Sequence, residues 1–161
     1  MAGSVAEAEQ AQPVMAVEHH RIGREGIPLL LHYESGAEHR PAVILLHGWG
    51  GTKERFRKML ALDESFVTAY VDLPGHGERP AAEEQPDGVR KLVSDTVRRM
   101  AAETAAVVEF LRGRREVDGD RIGLCGWSLG GFAALLALTE QPGVKAAVAI
   151  AAPHSAHLIH Q

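Results

Sequence analysis

The run Gly126-Trp127-Ser128-Leu129-Gly130-Gly131 holds the residue types and spacing in this 161-residue chain that could do chemistry. Gly-x-Ser-x-Gly is the nucleophile-elbow pattern, in which flanking glycines let the backbone reverse so tightly that the serine is held strained with Oγ exposed. Ser128 is the candidate nucleophile. A helix beginning just beyond it aims the backbone N–H of Leu129 at the space above Oγ, with the positive end of the helix dipole behind it. A second donor is expected from the loop after a central strand, where His47-Gly48-Trp49-Gly50-Gly51 has glycines that permit close backbone approach. Trp49 N–H is that candidate. Two such donors stabilise the negative oxygen of a tetrahedral intermediate, and losing one slows such reactions about 10²- to 10³-fold. The implied reaction is acyl transfer to water on a small-molecule ester or acyl substrate, and it calls for no cofactor and no metal.

Five positions with three fixed residues recur by chance, so the elements that carry the motif have to decide. Residues 14–22 and 27–33 are apolar-rich stretches around Gly23-Arg24-Glu25-Gly26 and read as an antiparallel pair. Residues 42–46, Ala-Val-Ile-Leu-Leu, are apolar at every position, as in a parallel strand covered on both faces. A helix over 53–62 follows, with Thr52 as its cap and Phe56, Met59 and Leu60 at helical spacing. Residues 66–71 form the next strand, stopped by Asp72-Leu73-Pro74-Gly75-His76-Gly77. After a polar, Pro-containing stretch, apolar residues from Val89 to Leu111 mark one face of a long helix capped by Asp87. Its Arg90, Lys91, Arg98 and Arg99 are interleaved with Asp95 and Glu103 as on a solvated face and carry no function. Residues 121–125 form a short strand leading directly into the serine turn, a helix covers 132–140, and 144–151 is a last apolar strand. Strands alternating with helices predict a mostly parallel sheet, whose sites lie at the carboxyl ends of its strands.

Composition narrows the function classes. With 17 basic and 21 acidic side chains and a formal charge of −4, the chain has no broad positive field for nucleic acid or anionic lipid. Its longest apolar runs fall well short of the roughly 20 residues of a spanning helix. Cys125 is the single cysteine, so no intrachain disulfide forms and a reducing, cytoplasmic setting is expected. Residues 1–12 are Ala-rich and acidic, read as a flexible tail, and 13–161 as one domain.

The stretch Asp120-Arg121-Ile122-Gly123-Leu124-Cys125-Gly126-Trp127-Ser128-Leu129-Gly130-Gly131, together with Asp72-Leu73-Pro74-Gly75-His76-Gly77-Glu78-Arg79, resembles the α/β-hydrolase superfamily. The similarity is greatest to its dienelactone-hydrolase and prolyl-oligopeptidase-like serine esterases. That resemblance implies an α/β-hydrolase fold, Ser128 as nucleophile, and Trp49 with Leu129 as the oxyanion hole. It gives Asp72, His76 and His47 the task of shaping loops rather than moving protons.

A serine hydroxyl needs a base to take its proton and an acid to orient that base. In this superfamily both follow the serine along the chain. No Asp or Glu occurs after Glu140, and His154, His157 and His160 read as an exposed polar end rather than a base or a metal face. The chain is therefore expected to be a hydrolase domain incomplete at its C-terminus, whose strand 144–151 is an uncovered edge that invites self-association. Two functional readings follow: a serine hydrolase acting on carboxylic esters or short acyl compounds, or a catalytically inactive fragment or interaction domain. Phosphate binding at the glycine-rich loops is a weaker third reading, since neither a Walker pattern nor Gly-x-Gly-x-x-Gly is present.

Overall fold

Strands apolar at every position need cover on both faces, and the fold supplies it at residues 67–71 and over most of 42–46 but not at 146–150. A computed structural model describes residues 13–79 and 88–152. The tail at 1–12, the Asp87 cap and the three histidines from His154 onward lie outside the described residues. In chain order the elements are β1 (Met15–Ile22), β2 (Ile27–Glu34), β3 (Arg40–Leu46), α1 (Lys53–Met59), β4 (Val67–Val71), α2 (Gly88–Arg112), β5 (Val117–Trp127), α3 (Leu129–Glu140) and β6 (Ala146–Ile150). The strands form one sheet in the order β1-β2-β4-β3-β5-β6. β1 and β2 pair antiparallel, β2 lies antiparallel against β4, and β4, β3, β5 and β6 run parallel.

Period-2 alternation divides the core between the faces. Leu29, Leu31, Ile44 and Leu46 enter the larger cluster with Met100, Leu111 and Ala134 of α2 and α3. Leu30, Leu45 and Tyr70 point the other way, onto Phe56 of α1. The parallel strands leave β3 in both directions: β4 follows on one side, and the chain then crosses back to place β5 and β6 on the other. The order reverses between β3 and β5, and such a switch point opens a crevice at the carboxyl ends of the two strands. Leu46 pairs with Gly126, so the loops that begin at His47 and Trp127 leave the sheet side by side.

Several boundaries differ from the sequence expectation for local reasons. β5 begins at Val117 rather than at 121, because the polar Asp118-Gly119-Asp120 is a bulge inside the strand. There the Asp118 carboxylate accepts the Asp120 N–H at 3.0 Å and Arg121 Nε at 2.7 Å, and the register against β3 shifts between Arg40 and Ala42. α1 stops at Met59 instead of 62, where the Leu60 N–H closes the last turn on Phe56 O and the Leu60 carbonyl accepts Tyr70 Oη at 2.9 Å. α3 starts three residues earlier than the glycine-free run at 132, because Gly130 and Gly131 are helical. Among the described residues β6 pairs only with β5, and its Val148 is exposed. No helix among them is long and apolar enough to cross a membrane.

Candidate active site

Ser128 stands between the end of β5 and the first residue of α3 with φ 50° and ψ −111°, a conformation that L-residues avoid. The glycines on either side explain how the chain gets there. A Cβ on Gly126 would lie 2.1 Å from the Gly130 carbonyl oxygen, and one on Gly130 would lie 2.2 Å from Leu46 O and 2.5 Å from His47 O. Strand, turn and helix are thus pressed together at backbone distance, and any side chain at either position would separate them. The Ser128 N–H donates to Ile150 O at 2.8 Å, which ties the turn to β6, and its carbonyl accepts from the N–H groups of Gly131 and Phe132. Leu129, as the first helical residue, has no intrahelical acceptor for its N–H.

Gly48 brings the β3 loop against this turn. A Cβ built on it would lie 3.1 Å from the Trp127 ring and 3.4 Å from Ser128 Cβ. From Gly48 to Gly51 the loop is a β-turn closed by Gly51 N–H donating to Gly48 O at 3.0 Å, with Gly50 at φ 70° as type II geometry requires of the third residue. That turn bond leaves the Trp49 N–H unused, and it meets no protein acceptor among the described residues. The Trp49 indole is exposed and stands edge-on to His76 at 5.1 Å. The residues named from the sequence, Ser128, Leu129 and Trp49, therefore lie on two loops that the structure sets side by side.

The histidines of these loops are otherwise engaged. His47 is buried, its Nε2 accepts the Leu73 N–H at 3.2 Å, and Nδ1 donates to Gly48 O at 2.7 Å. That pattern fixes the tautomer, and the 3.7 Å between Nε2 and Asp72 Oδ1 is too long for a hydrogen bond. His76 Nδ1 lies 2.8 Å from Pro74 O. Among the described residues no three His, Cys, Asp or Glu side chains converge as a metal site.

Sequence reasoning missed a buried ionic cluster beneath the loops, because lysine is ordinarily a surface residue and nothing in the pattern marks Lys53 as internal. Lys53 and Asp72 are both almost fully buried. Lys53 Nζ lies 3.0 Å from Asp72 Oδ2 and 2.7 Å from Glu54 Oε1, and it also bonds Glu78. Asp72 accepts the backbone N–H of Lys53 at 2.8 Å and of Glu78 at 3.0 Å. Gly77, at φ 59°, has no room for a Cβ, which would fall 2.2 Å from Asp72 Cγ. Arg79 then grips Glu103 of α2 through two bonds of 2.6 and 2.7 Å. Together these contacts fix the loop after β4 to α1 and α2, under the His47 and Trp49 segment.

Burial opposes the charge on Asp72, but the N–H groups of Glu78 and Lys53 and the Lys53 ammonium outweigh it and hold the carboxyl well below its usual range. Burial likewise opposes the Lys53 ammonium, and its bonds to Glu54, Glu78 and Asp72 outweigh that and raise its pKa above the ordinary lysine value. A carboxyl whose folded pKa lies below its unfolded value of about 3.9 contributes stability that is complete above that value and disappears as pH falls towards the folded one. The urea midpoint is therefore expected to drop between about pH 5 and pH 2. Asp72→Asn should lower the midpoint at pH 7 and flatten this acid limb, leaving the part due to the other depressed carboxyls, Glu103, Glu18 and Glu54 among them. An acid limb of unchanged slope in Asp72→Asn would refute the assignment.

A model of the Alpha/beta hydrolase family matches residues 43–159, from β3 through the serine turn and beyond. The chain belongs to the alpha/beta hydrolase family. Within it, the chain is 32% identical to 2,6-dihydropseudooxynicotine hydrolase of Paenarthrobacter nicotinovorans, over 87% of this chain and 37% of that protein. It is 36% identical to the pimeloyl-acyl-carrier-protein methyl ester esterase of Xanthomonas campestris pv. campestris, over 71% of this chain and 38% of the relative. Among solved structures, a dienelactone hydrolase-like promiscuous phosphotriesterase from metagenomic libraries superposes with a TM-score of 0.63. At 19% identity, over 89% of this chain and 63% of that one, it shows the shared alpha/beta hydrolase fold. The chain spans little more than a third of the length of the two curated relatives.

Proposed function

We propose that this chain carries the nucleophile and oxyanion half of a serine hydrolase for carboxylic esters or short acyl compounds. The observation that supports this reading best is the Ser128 backbone, at φ 50° and ψ −111° between two glycines that admit no side chain. A strained serine at the carboxyl end of a central strand, opening a helix, suits nucleophilic attack and little else. Two relatives whose names end in hydrolase and esterase point to the same chemistry.

In this reading Ser128 Oγ attacks the ester carbonyl carbon, and the N–H groups of Leu129 and Trp49 donate to the oxygen that takes up the negative charge. Collapse of the tetrahedral intermediate expels the alcohol, which leaves with the proton the base took from Ser128, and water then cleaves the acyl-enzyme. The base is assigned to no described residue: both ring nitrogens of His47 are spent on backbone partners, and the family's chain order puts acid and histidine after the serine.

A fluorescent fluorophosphonate reacts with a serine only when a base and an oxyanion hole activate it. The protein is expected to be labelled, with the base drawn from outside the described residues, and Ser128→Ala is expected to abolish the label. A folded chain that stays unlabelled would favour the other reading, a domain that keeps the hydrolase front without the activity.

A further inference from the structure

Beside Ser128 a cleft of about 200 Å³ opens between the β3 loop, α1 and Trp127. Its walls are apolar and aromatic, with Trp49, Trp127, Phe56 and Met59 contributing, and Arg55 is the one lining side chain that carries a permanent charge. Arg55 is exposed. Its backbone N–H caps α1 on Thr52 Oγ1 at 3.2 Å, but its guanidinium has no carboxylate partner among the described residues. The neighbouring Glu54 is turned away onto Lys53, and that buried lysine is matched by Glu54, Asp72 and Glu78. The cleft thus presents one unmatched positive charge among apolar and aromatic residues, one of which, Trp127, directly precedes Ser128.

We infer that this cleft binds esters bearing a carboxylate one short apolar chain away from the scissile carbonyl, with the Arg55 guanidinium pairing with that carboxylate. The inference deepens the assignment of Ser128 as nucleophile and rests on it. The planar guanidinium matches a carboxylate in two-point geometry, and at an exposed position such a pair is worth a few-fold in affinity. A neutral chain end would gain only the apolar contacts. A cationic one would be repelled.

The protein's two tryptophans, Trp49 and Trp127, both line the cleft, so intrinsic fluorescence reports its occupancy without any turnover. The probes are the monoamide and the diamide of adipic acid, which differ in one terminal group and resist hydrolysis. The monoamide, whose other end is a carboxylate at pH 7, is expected to bind about fivefold more tightly or better, with a preference that shrinks as salt is added. Arg55→Gln should abolish the preference and Arg55→Lys should keep part of it; since the guanidinium meets no protein group among the described residues, neither change should disturb the fold. Equal affinity for the two amides, or a preference that survives in Arg55→Gln, would overturn the inference and leave Arg55 a solvated side chain. Fluorophosphonate labelling separates the two claims. Labelling without discrimination between the amides rejects the anion site alone, and discrimination without labelling rejects the hydrolytic role alone.

Discussion

Gly130→Ala and Gly126→Ala are each expected to destabilise the protein by at least about 3 kcal/mol, with loss of near-ultraviolet circular dichroism under conditions where the parent is folded. The atoms that an added methyl would strike are backbone: Leu46 O at 2.2 Å and His47 O at 2.5 Å for Gly130, and Gly130 O at 2.1 Å for Gly126. A flexible side chain could swing away, but these atoms cannot move without parting β3 from β5 at Leu46↔Gly126, the pair that defines the crevice. Gly131 is the control. A Cβ there meets Ala152 Cβ at 3.1 Å and Gly126 O at 3.2 Å, contacts that a few tenths of an ångström relieve, and alanine is the better helix former by about 1 kcal/mol. Gly131→Ala should therefore stay within about 1 kcal/mol of the parent. Urea titrations of the three variants decide the matter, and similar midpoints for all three would mean that the turn is looser than its geometry indicates.

The same contrast explains what could be read from the sequence. Ser128, its flanking glycines and the order of strands and helices were legible because each has a local signature: a five-residue motif, an all-apolar run, a proline-glycine stop. The pairing of Leu46 with Gly126 was implicit in two buried strands of similar length, and it places the Trp49 and Leu129 N–H groups on neighbouring loops. Asp118-Gly119-Asp120 fell outside the expected strand because it carries no apolar pattern, and only the pairing with β3 on either side, at Val117 and Ile122, brings it in. Lys53 was invisible for a different reason. Its burial depends on Asp72, Glu54 and Glu78 arriving from a neighbouring helix position and a distant loop, and no periodicity within α1 reports that. Arg55 likewise looks like any helix arginine until Trp127, 72 positions along the chain, is folded against the loop beside it.

Ser128→Gly should give a protein that is at once more stable and inert. At φ 50° and ψ −111° a serine carries backbone strain of about 1–3 kcal/mol that glycine does not. Glycine's greater freedom in the unfolded chain returns about 0.4–1 kcal/mol of that, so a net gain of about 1 kcal/mol is expected in the urea midpoint. Ser128→Ala keeps the Cβ and the strain, and its stability should match the parent. Both variants remove Oγ, and with it the proposed acyl-enzyme, so turnover of an activated ester should fall about 10⁴-fold or more, to whatever the proposed oxyanion donors and binding supply alone. The pairing of effects makes the test sharper than loss of activity, since many substitutions inactivate by unfolding, whereas few stabilise while they inactivate. A residue held in an unfavourable conformation, where glycine would be more stable, indicates that position and not stability governs the choice of serine. If Ser128→Gly proves less stable than Ser128→Ala, the strain is not there and the argument for a poised nucleophile loses its support; if both variants keep the parent's esterase rate, the hydrolytic centre lies elsewhere.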